Sequence, residues 1–158
     1  MEYSSSSLTS LSEFSKDYNI NVIVENHGSL SSNAELLMQV INNVNLKNCG
    51  TLPDFGNFCI ERLDGDLYDS ECIKEYDRYK GLKEMMPKAF AVSAKSNLFN
   101  KNGEEVNIDY LRMLRIVKNS GYNGYIGVEY EGHDLSVSEV DGILATKNLL
   151  IKKGKLIT

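Results

Sequence analysis

Positive charge is scarce in this 158-residue chain: 17 Lys and Arg stand against 22 Asp and Glu, for a formal net charge of −5. Proteins that coat nucleic acid neutralise phosphate with clustered Lys and Arg, and single-strand binders add interleaved aromatics. Neither pattern is present, so no nucleic-acid partner is expected. Histidine is rarer still, with two in the chain, which counts against a histidine-rich multi-metal cluster. No apolar run approaches the ~20 residues of a membrane span, so no membrane association is expected. The first residues, Met1 to Ser7, are polar and serine-rich, without the basic and apolar regions of a signal peptide. Three cysteines, Cys49, Cys59 and Cys72, form no CxxC pair, and an odd count makes a poor disulfide framework. Reduced thiols in a cytoplasmic protein are the expectation. No Pro/Gly/Ser linker and no low-complexity tract beyond Ser4–Ser7 divides residues 1–158, which read as a single domain.

What the chain does contain is an alternation of two kinds of segment. Leu8, Leu11, Phe14 and Tyr18 recur at helical spacing, and the β-branched run Asn21 to Glu25 then reads as a strand. Asn33 is placed to cap a helix carrying Leu36, Leu37, Val40, Ile41 and Val44 on one face. Gly50 to Gly56 reads as a second strand, with Pro53 tolerable where the ladder needs no donor. Asp69-Ser70 is expected to open a polar helix from about Glu71 to Met86, closed by Pro87. Ala89 to Lys95 is a third strand. A helix from Ile108, with Leu111, Leu114 and Val117, ends at Gly121. Tyr125 to Tyr130 is a fourth strand, and Ser136 with Glu139 forms a capping-box pattern for the last helix. Strands alternating with helices predict an α/β fold with parallel strands and right-handed crossovers. Four such units fit a small doubly wound sheet or half of a (β/α)₈ TIM barrel, which when complete needs roughly 250 residues.

A charge in a parallel strand buried on both faces is costly, so strand parity is informative. Val22 and Val24 share one face, and Ile23, Glu25 and His27 the other. Phe90, Val92 and Ala94 oppose Ala91, Ser93 and Lys95; Ile126, Val128 and Tyr130 oppose Gly127, Glu129 and Glu131. Each of these strands has one apolar face and one that turns polar toward its C-terminal end, where α/β enzymes carry their sites. Glu25, Asp54, Ser93 with Lys95, and Glu129 all occupy such ends.

At these residues the chain resembles the xylose-isomerase-like TIM-barrel superfamily of sugar phosphate isomerases/epimerases and ketose 3-epimerases, to which apurinic endonucleases are related. The resemblance runs through Val22-Ile23-Val24-Glu25-Asn26-His27-Gly28, Leu52-Pro53-Asp54-Phe55-Gly56-Asn57-Phe58 and Val92-Ser93-Ala94-Lys95. It continues through Ile108-Asp109-Tyr110 and, most specifically, Gly121-Tyr122-Asn123-Gly124-Tyr125-Ile126-Gly127-Val128-Glu129-Tyr130-Glu131-Gly132. It implies that the chain is the C-terminal half of such a barrel, with Glu25, Asp54, Ser93 and Glu129 at the positions that bind a divalent metal (Mn²⁺, Mg²⁺, Co²⁺ or Zn²⁺). Ser93 stands where the family has a histidine, and Asn57 where a histidine is frequent. Serine is a poor Zn²⁺ ligand but fits an oxygen shell around Mg²⁺ or Mn²⁺.

The function implied is a sugar isomerase or epimerase acting on a small sugar or sugar phosphate. Such a reaction removes a proton alpha to a carbonyl while a Lewis acid stabilises the enediolate. Glu25 and Glu129 are the expected proton-transfer pair; Glu25, Asp54 and Glu129 are the expected metal ligands. His27, Asn57, Ser93 and Lys95 are expected to contact substrate, with Glu131 sharing the parity of Glu129. Alternatives are acids that merely cap helices or pair with Lys95, a non-catalytic sugar-binding half barrel, and a metal-dependent endonuclease. A half barrel has two exposed strand edges. A homo-oligomer or a missing N-terminal half is therefore expected to cover them.

Overall fold

The computed structural model describes residues 2–65 and 70–157. Helix α1 (Glu2–Lys16) leads into strand β1 (Val22–Glu25), followed by α2 (Ala34–Val44), β2 (Cys49–Leu52) and a pair of short strands, β3 (Cys59–Arg62) and β4 (Cys72–Glu75). Then come α3 (Arg78–Met85), β5 (Val92–Ser96), α4 (Tyr110–Asn119), β6 (Ile126–Tyr130) and α5 (Glu139–Gly154). Strands β1 and β2 pair in parallel, as do β5 and β6. Between β2 and β5 the ladder thins to single parallel bridges at Thr51–Ala89 and Asp54–Ser93. Pro53 explains part of this: lacking an N–H, it contributes only its carbonyl, which accepts from Ser93 N at 2.9 Å. The spatial order is thus β1-β2-β5-β6, a four-stranded parallel arc that does not close.

Apolar side chains bind this arc to its helices. Leu37, Ile41 and Val44 of α2 pack with Cys49 and Met85 in one cluster. Phe55, Phe58, Leu82, Val92, Ala94, Met113, Leu114, Val117 and Leu149 form the larger one. Local signals set the helix ends. Asn33 accepts from Leu36 N, Asp109 from Arg112 N, and Gly121 adopts φ +79° after α4, as their residue types predict. The last helix is capped by Ser138, whose hydroxyl accepts from Asp141 N, and not by the expected Ser136, which instead bonds Asp134.

Two expectations fail between β2 and β5. The polar helix foreseen from Glu71 to Met86 is a strand and a shorter helix. Cys72–Glu75 pairs antiparallel with Cys59–Arg62, and α3 starts after Asp77, which accepts from Tyr79 N and Lys80 N. Of the expected opening pair, Asp69 lies outside the described residues. The thiols are not all reduced either: Cys59 and Cys72 form a disulfide across this hairpin, and buried Cys49 alone is free. A half-buried Cys59 and an exposed Cys72 on paired strands are brought together by a hairpin that the charged sequence disguises.

Both edges of the arc carry uncovered apolar surface. Leu11, Phe14, Tyr18, Ile20 and Ile23 are exposed beside β1, and Tyr125, Val140, Leu144 and Ile151 beside β6. The apolar face of α1 therefore does not enter the core as a whole. Ser12 and Ser15 take the buried side, tied through Asn48, whose side chain donates to Ser12 O at 2.8 Å and Ser15 Oγ at 3.1 Å. No helix among the described residues is long and apolar enough to cross a membrane.

Candidate active site

The C-terminal ends of all four arc strands meet on the inner face. Glu25 ends β1, Asp54 follows β2, Ser93 and Lys95 lie on β5, and Glu129 lies on β6 in register with Lys95. One carboxylate oxygen from each of Glu25, Asp54 and Glu129 lies within 4.8 Å of the other two. Three acids expected at strand ends from the sequence, Glu25, Asp54 and Glu129, thus lie together.

Asp54 is fully buried. Its Oδ1 accepts from the backbone N–H groups of Gly56 and Asn57, each at 2.9 Å, which fixes the turn after β2. Its Oδ2 is buried with no hydrogen-bond partner among the described residues. Burial pushes the carboxyl up to about 7, against the pull of nearby Ser93 and Lys95. Ser93 is close enough to exert that pull, but its hydroxyl donates to Glu129 Oε2 at 2.7 Å, so it leaves Asp54 Oδ2 unmet. An orphaned, buried carboxylate oxygen between two other carboxylates fits a cation, which would supply the missing partner and offset three converging negative charges.

The two glutamates are biased in opposite directions. Burial raises Glu25, aided by the charge of Glu129 and only partly opposed by His27 and Lys95. At Glu129 burial also acts upward, but the Ser93 hydroxyl and the Lys95 ammonium outweigh it and hold the carboxylate below its ordinary range. Lys95 Nζ lies 3.1 Å from Glu129 Oε1, 2.7 Å from Glu131 Oε2 and 2.9 Å from Asn57 Oδ1. Burial disfavours the Lys95 charge, yet Glu131, Asp54 and Glu129 together raise its pKa. Its stem crosses Gly56, where an added Cβ would come within 2.9 Å of Lys95 Cδ.

Asn57 joins these groups: its Nδ2 donates to Glu25 Oε1 at 3.3 Å while its Oδ1 accepts from Lys95. His27 is exposed, and its side chain borders a cavity of about 900 Å³ together with Asn57, Lys95, Glu131, His133 and Arg62. Of the four residues expected to contact substrate, Ser93 alone does not line this cavity; its hydroxyl serves Glu129.

Three supporting residues were not singled out from sequence. Asn26 is fully buried; its Oδ1 accepts from Asp54 N at 2.7 Å and its Nδ2 donates to Asp54 O at 3.2 Å and Asn57 O at 2.9 Å. Parity put Asn26 on the apolar face with Val24, and the signal available was an amide at a position that should be apolar. Tyr110 donates to Lys95 O at 2.8 Å, packs edge-on to Phe55, and so pins the end of β5. Burial drives the Tyr110 hydroxyl well above the usual phenol range, so it serves as a donor. Glu105 accepts from Asn107 N and Ile108 N ahead of α4.

The profile of the xylose isomerase-like TIM barrel matches residues 1–153. The chain belongs to this family. As a xylose isomerase-like TIM barrel it superposes on solved structures of a D-tagatose 3-epimerase-like protein and an L-ribulose 3-epimerase. The TM-scores are 0.71 and 0.62 at 19% and 14% identity, over 97% and 98% of this chain. It spans 54% and 56% of those chains, as an unclosed four-strand arc should. At these identities the likeness is one of fold. The C-glycoside deglycosidase alpha subunit of Arthrobacter globiformis is 33% identical over 73 residues, which are 44% of this chain and 21% of that protein.

Proposed function

We propose that this chain is the C-terminal, cation-binding and proton-transferring half of a sugar epimerase or isomerase. The observation that carries the reading is the convergence of Glu25, Asp54 and Glu129 around an unpartnered, buried Asp54 oxygen. Glu25, Asp54 and Glu129 would hold a divalent cation, and the donor set is all oxygen, with the Ser93 lone pairs adjacent. That set favours Mg²⁺ or Mn²⁺ over Zn²⁺. When bound, the ion supplies charge stabilisation to an enediolate oxygen.

The protein's own groups then divide the proton work. Groups whose environments push their pKa values apart mark the acid and the base. Glu129, held below its ordinary carboxylate range with the Ser93 hydroxyl donating to it, removes the proton alpha to the substrate carbonyl. Glu25, raised by burial, carries a proton to the same carbon from the other side. Asn57, Lys95 and His27 line the cavity wall where sugar hydroxyls bind. A sugar epimerase reading accords with the names of the two solved relatives and makes a ketose the first substrate class to test.

The remaining half of the barrel, from another polypeptide segment or a second copy, would cover the apolar edges beside β1 and β6. The expectation of a cytoplasmic protein loses its cysteine support, since Cys59–Cys72 is oxidised.

The test is solvent exchange: the chain, with Mn²⁺ and a ketose in D₂O, is monitored by NMR for deuterium at the carbon beside the carbonyl. Incorporation that disappears in Glu129→Gln and Glu25→Gln supports the reading. Cation binding with no exchange by a closed assembly would make it a binding module.

A further inference from the structure

Lys95 is the one buried cation at the triad among the described residues, and its ammonium is divided between two different carboxylates. Glu129 belongs to the triad; Glu131 does not, yet its Oε2 is the nearer at 2.7 Å against 3.1 Å for Glu129 Oε1. The two glutamates sit two residues apart at the end of β6, so they share a face and flank the ammonium. Lys95 is 3% exposed and its stem lies across Gly56, where only a missing side chain leaves room. Glu131 is half-exposed, and Asn97 Nδ2 donates to its backbone carbonyl at 2.9 Å, which ties the chain there to the end of β5.

This geometry poses a problem for any cation that enters the triad. Glu129 would become its ligand while an ammonium still rested on the same carboxylate, and like charges would be forced together. The ammonium needs somewhere to go that costs little movement. Resting on the proposed cation site, we propose that Glu131 is a positioning residue that takes over the Lys95 ammonium when a divalent cation binds Glu129. Lys95 is the built-in counter-ion of the empty triad, and Glu131 is its parking position in the loaded one. Glu131 thereby sets the cation affinity of a site it does not ligate.

The experiment is a double-mutant cycle on the full chain, read as Mn²⁺ affinity by calorimetry. Glu131→Gln should weaken Mn²⁺ by about 10-fold, the lower end of what outer-shell partners of a metal site contribute. Lys95→Met, which keeps the stem over Gly56, should tighten it, because the competing ammonium is gone. In the Lys95→Met background Glu131→Gln should change affinity by less than about 2-fold, since nothing is left to park. If Lys95→Met does not fold, Lys95→Gln takes its place in the cycle. An unchanged affinity in Glu131→Gln overturns the inference. So does an equal loss with and without Lys95, which would make Glu131 a ligand or a simple field charge. Failure of the wild-type chain to bind Mn²⁺ overturns the cation site itself, and is seen before any variant is made.

Discussion

Replacing Asp54 with Asn should stabilise the metal-free protein and abolish its response to a cation. The substitution keeps shape and leaves Oδ1 in place to accept from Gly56 N and Asn57 N, so the turn after β2 survives. It removes the charge on an oxygen that has no partner. A carboxyl moved from its ordinary 3.8 to about 7 corresponds to a penalty of about 4 kcal/mol on the ionised folded state, taken as an upper bound. The sign follows from proton counts. The folded pKa is raised, so between 3.8 and about 7 the folded state holds more protons than the unfolded one, and stability falls as pH rises through that window. Below it Asp54→Asn and wild type should differ little through this group. At pH 8 in EDTA the variant should be more stable by about 1–4 kcal/mol, less than the full penalty because the site relaxes. Mn²⁺ at about 100 times its dissociation constant should then stabilise wild type by about 2.7 kcal/mol and leave the variant unmoved. Urea denaturation in EDTA at pH 3, below the window, and at pH 8, repeated at pH 8 with Mn²⁺, gives all these numbers. A variant less stable than wild type at pH 8 in EDTA would refute the reasoning, because Asp54 would then be a satisfied structural anion.

Other consequences are simpler. Asn26→Ala strips partners from Asp54 N, Asp54 O and Asn57 O, and should cost about 2–4 kcal/mol in urea unfolding while weakening Mn²⁺ binding. Reduction of Cys59–Cys72, or Cys59→Ser, should cost up to about 3 kcal/mol given a separation of 13 residues; an unaltered Tm would show that strand pairing alone holds the hairpin. Gly142→Ala in α5 would put a Cβ 2.1 Å from the Tyr130 ring and should lower stability by about 1–3 kcal/mol in thermal melts, despite alanine's better helix propensity.

How much of this was legible in the sequence depended on whether one physical rule acted alone. Glu25, Asp54 and Glu129 were readable because a charge at the end of a buried parallel strand has few explanations, and for Glu25 and Glu129 period-two parity also says which way it points. The helix cap at Asn33 was readable because capping is local. The β3–β4 hairpin was hidden: Cys72 to Glu75 is short, charged and runs straight into a polar helix, so no periodicity separated the two. Once the hairpin was missed, the Cys59–Cys72 pairing was missed with it. Asn26 escaped because parity assigns a face and not a hydrogen-bond network. Pairing of the acids with Lys95 was an alternative legible in the sequence; that one ammonium is shared by Glu129 and Glu131 is seen only in the side-chain distances.

The central claim is that Glu25, Asp54 and Glu129 form one cation site. Mn²⁺ titration followed by the loss of the free-ion EPR signal tests it most directly. One ion bound per chain, and none in Asp54→Asn or Glu129→Gln, is the predicted result. A full free-ion signal throughout the wild-type titration, or binding that both substitutions leave intact, would contradict it.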